Sequence, residues 1–207
     1  MAQFFSIHPD DPQPRLLRRA ADIVRAGGVI VYPTDSCYAL GCRPGEVEAM
    51  ERIRSIRQID ARHPFALVCR DLAELALYAV VDNQQFRMLK AATPGSYTVI
   101  LKATREVPKR LRHPRRRTIG LRVPDHKVAR ALLGELGEPL LSSTLLLPGD
   151  ELPLNDGEEI RERLERRVDL ILECGSCGIV PTTVVDLTGP APVVTRQGRG
   201  GLQPFGL

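Results

Sequence analysis

Between residues 14 and 25, Leu16, Leu17, Ala20, Ile23 and Val24 recur at spacings of one, three and four, the stripe of an amphipathic helix that Gly27 and Gly28 end. Val29, Ile30 and Val31 follow as a β-branched run closed by Pro33, which predicts a buried strand with a loop at its end. Val47, Met50, Ile53 and Ile56 share one face of a second helix over 46–57, and residues 64–69 read as the next strand. Helices are expected over 71–77 and 83–91, and alternating strands over 96–102 and 118–124. Asp125 is placed to cap a helix running to Leu136.

The last third predicts a short strand over 139–144, a charged helix over 156–166 and another strand over 168–173. Two closing strands, TTVVDL and PVVTR, flank the turn-rich TGPAP, which suggests a hairpin. The pattern is α/β alternation ending in an antiparallel pair, so a mixed sheet is expected.

Composition adds bounds to this outline. A chain of 207 residues, 43% hydrophobic and 26% charged, can bury a substantial core, and one domain over 1–207 is expected. No apolar run approaches the roughly 18 residues of a membrane span, and the opening MAQFFSIHPDDPQ lacks a basic segment followed by an apolar one. A soluble, unprocessed, cytoplasmic protein without a membrane partner is the expectation. The five cysteines form no regular framework, and Cys174 and Cys177 in CGSC lack the further ligands of a zinc site, so no protein-held metal is expected.

Net charge is only +4, but its distribution is uneven. Lys109, Arg110, Arg112, Arg115, Arg116 and Arg117 crowd one segment against Glu106 alone. They suit a phosphate backbone, yet no aromatic is interleaved for base stacking, so recognition there would be of charge and shape. The other reading is a solvated, mobile loop. His63 and His113 lie in basic loops and read as surface residues.

Three hydroxyl clusters stand at predicted strand ends: Thr34, Asp35 and Ser36 with Tyr38 beyond, the LSST of residues 141–144, and the PTT of residues 181–183. Each fits a polar ligand, and each also fits turn capping. Arg57, Arg122 and Arg196 sit among apolar residues, where a charge is costly unless paired. A bound carboxylate or phosphate would pair them, as would Asp35, Asp125 or Asp186. No Walker sequence, G-x-G-x-x-G, H-E-x-x-H or G-x-S-x-G occurs.

The order GGVIVYPTDSCYALGC, IRSIRQ, HPFALVC, TPGSYTVILK, TIGLRVP, PLLSSTLLLPG, PTTVVDL and VVTRQG resembles the YrdC-like family over nearly the whole chain. QFFSIHPDDPQ and MERIRSIRQ resemble its YciO-like branch. The resemblance implies a twisted mixed parallel and antiparallel sheet with flanking helices around a large basic cavity. Active members make L-threonylcarbamoyladenylate, the intermediate for a tRNA modification, from L-threonine, bicarbonate and ATP with Mg²⁺, with release of pyrophosphate. It further implies Thr34, Arg122 and Thr182 on the L-threonine side, and Arg57, Thr118, Thr144 and Arg196 on the nucleotide side.

Two family signatures are altered. In K-x-R, Arg57 stands for the lysine and Ile59 for the arginine; in S-x-N, Thr144 stands for the serine and Leu146 for the asparagine. The resemblance therefore implies binding of ATP, AMP or an adenylate with weak or altered synthase-type chemistry. The alternative is a non-catalytic protein that binds double-stranded or structured RNA.

Overall fold

The computed structural model describes residues 1–60 and 63–207. Its strands are β1 (Gln3–Ser6), β2 (Ile30–Tyr32), β3 (Ala39–Cys42), β4 (Ala66–Val68), β5 (Ala79–Val80), β6 (Tyr97–Ala103), β7 (Thr118–Arg122), β8 (Leu140–Thr144), β9 (Leu170–Glu173), β10 (Thr183–Asp186) and β11 (Val193–Arg196). Its helices are α1 (Pro14–Arg25), α2 (Val47–Arg57), α3 (Leu72–Tyr78), α4 (Asn83–Ala92), α5 (Lys127–Leu136) and α6 (Gly157–Leu164). The strands join one mixed sheet in the order β1-β9-β2-β3-β8-β4-β7-β6-β10-β11, with β5 pairing β6. The closing hairpin is present, β10 and β11 being antiparallel.

Strand alternation divides the core between the two sheet faces. Val29, Val31, Leu40, Leu67, Leu141 and Ile171 pack on one face with apolar residues of α2, α3, α4 and α6. Ile30, Tyr32, Ala39, Val68, Leu140 and Leu170 pack on the other beneath α1 and α5. That second layer stops short of the sheet's other half. Ala66, Gly120 and Thr98 are neighbours there, since a Cβ on Gly120 would meet Thr98 Cγ2 at 3.4 Å and Ala66 Cβ at 3.7 Å. All three are part-exposed, and Thr98 is polar. Small and hydroxylated residues in central strands leave a stretch of sheet face with no apolar layer over it.

Several boundaries differ from the periodicity. The segment after Pro33 is a loop only as far as Tyr38, because Ala39–Cys42 is a strand between β2 and β8. Its sequence, ALGC, carries no β-branched residue, and Gly41 is required because a Cβ there would lie 2.8 Å from the Tyr32 ring. Asp125 does not cap α5; His126 holds the N-cap position without a side-chain bond, and Asp125, one residue earlier, is exposed. The charged helix ends at Leu164, where Arg167 and Val168 amides turn back to the Leu164 carbonyl so that Leu170 can enter β9. Where aspartates do cap, at Asp71, Asp82 and Asp156, the carboxylate accepts the amide three residues on. Among the described residues no helix is long and apolar enough to cross a membrane.

Just after β11 the chain passes through Gly198, where a Cβ would lie 2.1 Å from the Pro181 carbonyl oxygen and 2.6 Å from the Thr182 carbonyl carbon. Both obstacles are backbone, so neither can rotate away. Gly198→Ala is expected to lower unfolding stability by about 1–3 kcal/mol, read as a lower urea midpoint at unchanged slope.

Candidate functional site

The loop between β2 and β3 is shaped by Thr34. Its hydroxyl donates to the Cys37 carbonyl at 2.6 Å and accepts the Ser36 and Cys37 amides, both at 3.3 Å. Thr34 is fully buried, so of the two roles weighed for it, turn capping is the one its own bonds display. The turn sends the Asp35 carboxylate across the sheet to β7, where it accepts a short hydrogen bond from Arg122 Nη2. Internal pairing with Asp35 thus holds for Arg122. Asp186 pairs instead with Arg116, 3.1 Å away.

The Asp35–Arg122 pair is almost sealed, at 9% and 8% side-chain exposure. Ser96 Oγ, just before β6, donates to Asp35 Oδ2 at 2.5 Å, and Arg122 Nη2 also donates to Ser36 Oγ at 3.0 Å. Arg122 Nε is buried without a partner. A buried guanidinium N–H left unsatisfied costs about 1–3 kcal/mol, so this orphan marks a place where an acceptor would be favoured.

Parallel pairing of β6 with β10 puts Thr98 opposite Val184, and Thr98 and Thr182 hydroxyls lie 2.9 Å apart. Arg196 crosses from β11 to donate to the Thr182 carbonyl through Nε (3.1 Å) and Nη2 (2.9 Å), and to its hydroxyl at 3.2 Å. From the end of α2, Arg57 donates through Nε to the Leu146 carbonyl (3.3 Å) and through Nη1 to Ser143 Oγ. Among the described residues neither Arg57 nor Arg196 has an ion pair. Their partners are carbonyl and hydroxyl oxygens and, for Arg57, the His63 ring, so no carboxylate compensates their charge.

Cys37 lies amid these groups: its thiol contacts Ser36 Oγ at 3.7 Å, and the Thr144 hydroxyl, Arg122 and Arg196 act on it electrostatically. Burial nevertheless pushes the thiol pKa up, the nearby cations notwithstanding, so Cys37 is a thiol rather than a thiolate nucleophile. His63, read as a surface residue, belongs here: Nε2 lies 3.4 Å from Arg57 Nη1. Burial first, and then the Arg57 charge, hold its pKa below the usual imidazole value. Asp35, Ser96, Thr98 and Ser143 complete the group. Their signal in the sequence was a hydroxyl or carboxylate beside each strand end, but nothing local showed that these ends meet.

Not every candidate is gathered. Thr118, buried at 5% exposure, shares a strand face with Gly120 and Arg122 but stands four residues away, about 14 Å along β7. Beyond it the basic segment is tied down instead of loose. Arg112 donates to the Val107 and Arg105 carbonyls at 2.7 and 2.9 Å, Arg110 reaches the Gly45 carbonyl at 3.3 Å, and His113 Nδ1 accepts the Arg115 and Arg116 amides. Lys109, Arg112, His113, Pro114 and Arg117 line a hollow of about 370 Å³. The side chains of Lys109, Arg115 and Arg117 have no hydrogen-bond or ion-pair partner among the described residues.

Fold and site together define a mixed-sheet α/β protein with a buried ion pair ringed by hydroxyls and uncompensated arginines at converging strand ends. Residues 22–198 match the Sua5/YciO/YrdC family model, whose description reads "Telomere recombination", and the chain belongs to that family. It is 58% identical over 205 residues to YciO of Escherichia coli (strain K12), covering 99% of this chain and all of that protein. The crystal structure of E. coli YciO superposes with a TM-score of 0.95 over 99% of this chain and 100% of that one. A threonylcarbamoyl-AMP synthase of Halorhodospira halophila (strain DSM 244 / SL1) is 30% identical over 194 residues, 93% of this chain and 95% of that protein. The structure of P. abyssi Sua5 complexed with L-threonine shares the fold, with a TM-score of 0.87 at 24% identity over 97% of this chain and 58% of that chain.

Two measurements test this geometry. Arg122→Met strands the buried Asp35 carboxylate and is expected to cost about 3–5 kcal/mol of stability, part of which Asp35→Asn in the same chain restores. In ¹H–¹⁵N NMR, His63 is expected to titrate below the ordinary imidazole range. An anion bound at Arg57 favours the imidazolium, so pyrophosphate should raise that midpoint, and pyrophosphate affinity should increase as pH falls through it. An unmoved midpoint would place the anion elsewhere.

Proposed function

We propose that this chain binds an adenine nucleotide or adenylate together with L-threonine across the Arg57, Arg122 and Arg196 group, and carries out L-threonylcarbamoyladenylate-type chemistry in a weak or altered form. The observation that carries the reading is the charge arrangement: three guanidinium groups converge with one carboxylate, and Arg122 Nε is buried without an acceptor. Such a site suits a ligand bearing a carboxylate and a phosphate. The L-threonine complex of P. abyssi Sua5 and the threonylcarbamoyl-AMP synthase relatives support that choice of ligands.

In the full reaction L-threonine, bicarbonate and ATP give threonylcarbamoyl-AMP, pyrophosphate and water. Arg122 would hold the amino-acid carboxylate, with Thr98 and Thr182 hydroxyls beside it. Arg57, with His63 next to it, and Arg196 would face phosphate oxygens, stabilising charge that develops on the leaving pyrophosphate. Thr144 and Cys37 lie between the two sides, and Thr34 acts by shaping the turn that carries Asp35 and Ser36. Mg²⁺ arrives on the triphosphate. Among the described residues no group of three or more His, Cys, Asp or Glu side chains could hold a metal ion.

Ile59 and Leu146 put apolar side chains where the family signature has an arginine and an asparagine, and Leu146 supplies only its carbonyl to Arg57. Each missing polar contact weakens the nucleotide side by about 1–3 kcal/mol, which lowers turnover without removing the amino-acid side. With labelled L-threonine, bicarbonate, ATP and Mg²⁺, slow formation of threonylcarbamoyl-AMP and pyrophosphate is expected, with the reverse and hydrolytic directions followed alongside. Arg122→Ala and Thr34→Ala should abolish it, and rates equal to wild type in both would refute the assignment.

A second reading rests on the basic hollow. Lys109, Arg115 and Arg117 are uncommitted, Arg110 and Arg112 are fixed by main-chain carbonyls, and Arg116 makes the segment's one ion pair among the described residues. This surface fits the phosphate backbone of double-stranded or structured RNA without base readout. Charge reversal at Arg115, Arg116 and Arg117 together should weaken RNA binding and reduce the slope of log K against log salt by about two to three. An unchanged slope would remove the segment from any RNA contact.

A further inference from the structure

Asp35 has both carboxylate oxygens engaged, Oδ1 by Arg122 Nη2 and Oδ2 by Ser96 Oγ. A carboxylate held this way is unsuited to taking a proton from a ligand. Its effect falls on Arg122. Nη2 carries two hydrogens, and Asp35 and Ser36 Oγ together accept both. Because a guanidinium is planar, fixing Nη2 fixes the directions of the remaining N–H bonds. Nε is buried, and Nη1 has no protein partner among the described residues.

We propose that Asp35 is a positioning residue for ligand binding: it locks the Arg122 guanidinium so that its remaining N–H bonds are presented to the carboxylate of an amino-acid ligand, and thereby selects a free carboxylate over an amide. The inference rests on the amino-acid reading of the site given above. It also has a sign that plain electrostatics lacks. Asp35 neutralises Arg122, so removing its charge makes the site one unit more positive, and charge alone would tighten carboxylate binding. Loss of a fixed N–H direction would weaken it. Ser96, which braces the second oxygen of Asp35, shares the role to a lesser degree.

The test compares calorimetric binding of L-threonine, L-threoninamide and ATP to the full chain and to Asp35→Asn and Ser96→Ala. Asp35→Asn should weaken L-threonine at least tenfold, bring its affinity ratio to L-threoninamide towards one, and leave ATP binding unchanged; Ser96→Ala should shift the ratio in the same direction by less. L-threonine bound as tightly or more tightly by Asp35→Asn overturns the proposal, as does equal weakening of both amino-acid ligands. A ligand-free measurement accompanies it: ¹⁵N NMR of Arg122 should show slow rotation of the Nη groups in wild type and faster rotation in both variants. Ser96→Ala keeps the buried charge pair and so carries the test if Asp35→Asn does not fold. Wild type that binds no L-threonine, yet shows Asp35-dependent locking of Arg122, would refute the amino-acid reading and leave the positioning role standing. Rotation equally fast in all three would refute the positioning role.

Discussion

A charged pair in a dry interior is stable only when each member satisfies the other and the remaining hydrogen-bonding capacity is met nearby. Asp35 and Arg122 impose that condition on the surrounding sheet. The carboxylate comes from a turn after β2, the guanidinium from the last residue of β7, and the supporting hydroxyls from Ser36 and from Ser96 before β6. In the sheet order β2 and β7 are separated by β3, β8 and β4, so the pair spans the middle of the molecule. Neither group could stay buried if that strand order or its register changed.

The same constraint explains why the polar residues collect where they do. Helices α1 and α5 seal one half of a sheet face with apolar side chains, and the other half is floored by Ala66, Thr98 and Gly120. A small floor leaves room for the arginines, which reach in from α2 and β11 and bind carbonyl and hydroxyl oxygens rather than carboxylates. Positive charge is thereby held in place without being cancelled, the arrangement suited to an anionic ligand. Leu146 offers this group its carbonyl alone, so the Arg57 end is lined by main-chain and hydroxyl oxygens.

Two positively charged regions result, and they differ physically. Around Arg122 the charges run from the buried Arg122 to the more exposed Arg196, are directional and are balanced in part by Asp35. In the segment before β7 they are exposed and mutually repulsive, and they curve around a hollow braced by main-chain bonds. The first favours one small ligand in one pose. Exposed charges of the second kind act at a strength that falls with salt.

By itself the sequence determined the elements whose signal is local. The stripe of Leu17, Ala20 and Val24 set α1 at its observed limits, β-branched runs set β2 and β6, and the closing strands set the hairpin. The order of motifs along nearly the whole chain was enough to place the family. Ala39–Cys42 escaped because small residues and a glycine become a strand only through two antiparallel neighbours, with Tyr32 filling the space that Gly41 leaves. Which carboxylate pairs with which arginine was equally out of reach: Asp35, Asp125 and Asp186 look alike in sequence, and their separation in space decides the matter. Tertiary structure alone moved His63 from the surface to Arg57, whereas the turn that Thr34 holds rests on local bonds to Ser36 and Cys37. Periodicity reports which face of an element is apolar, whereas a site depends on where the ends of distant strands meet.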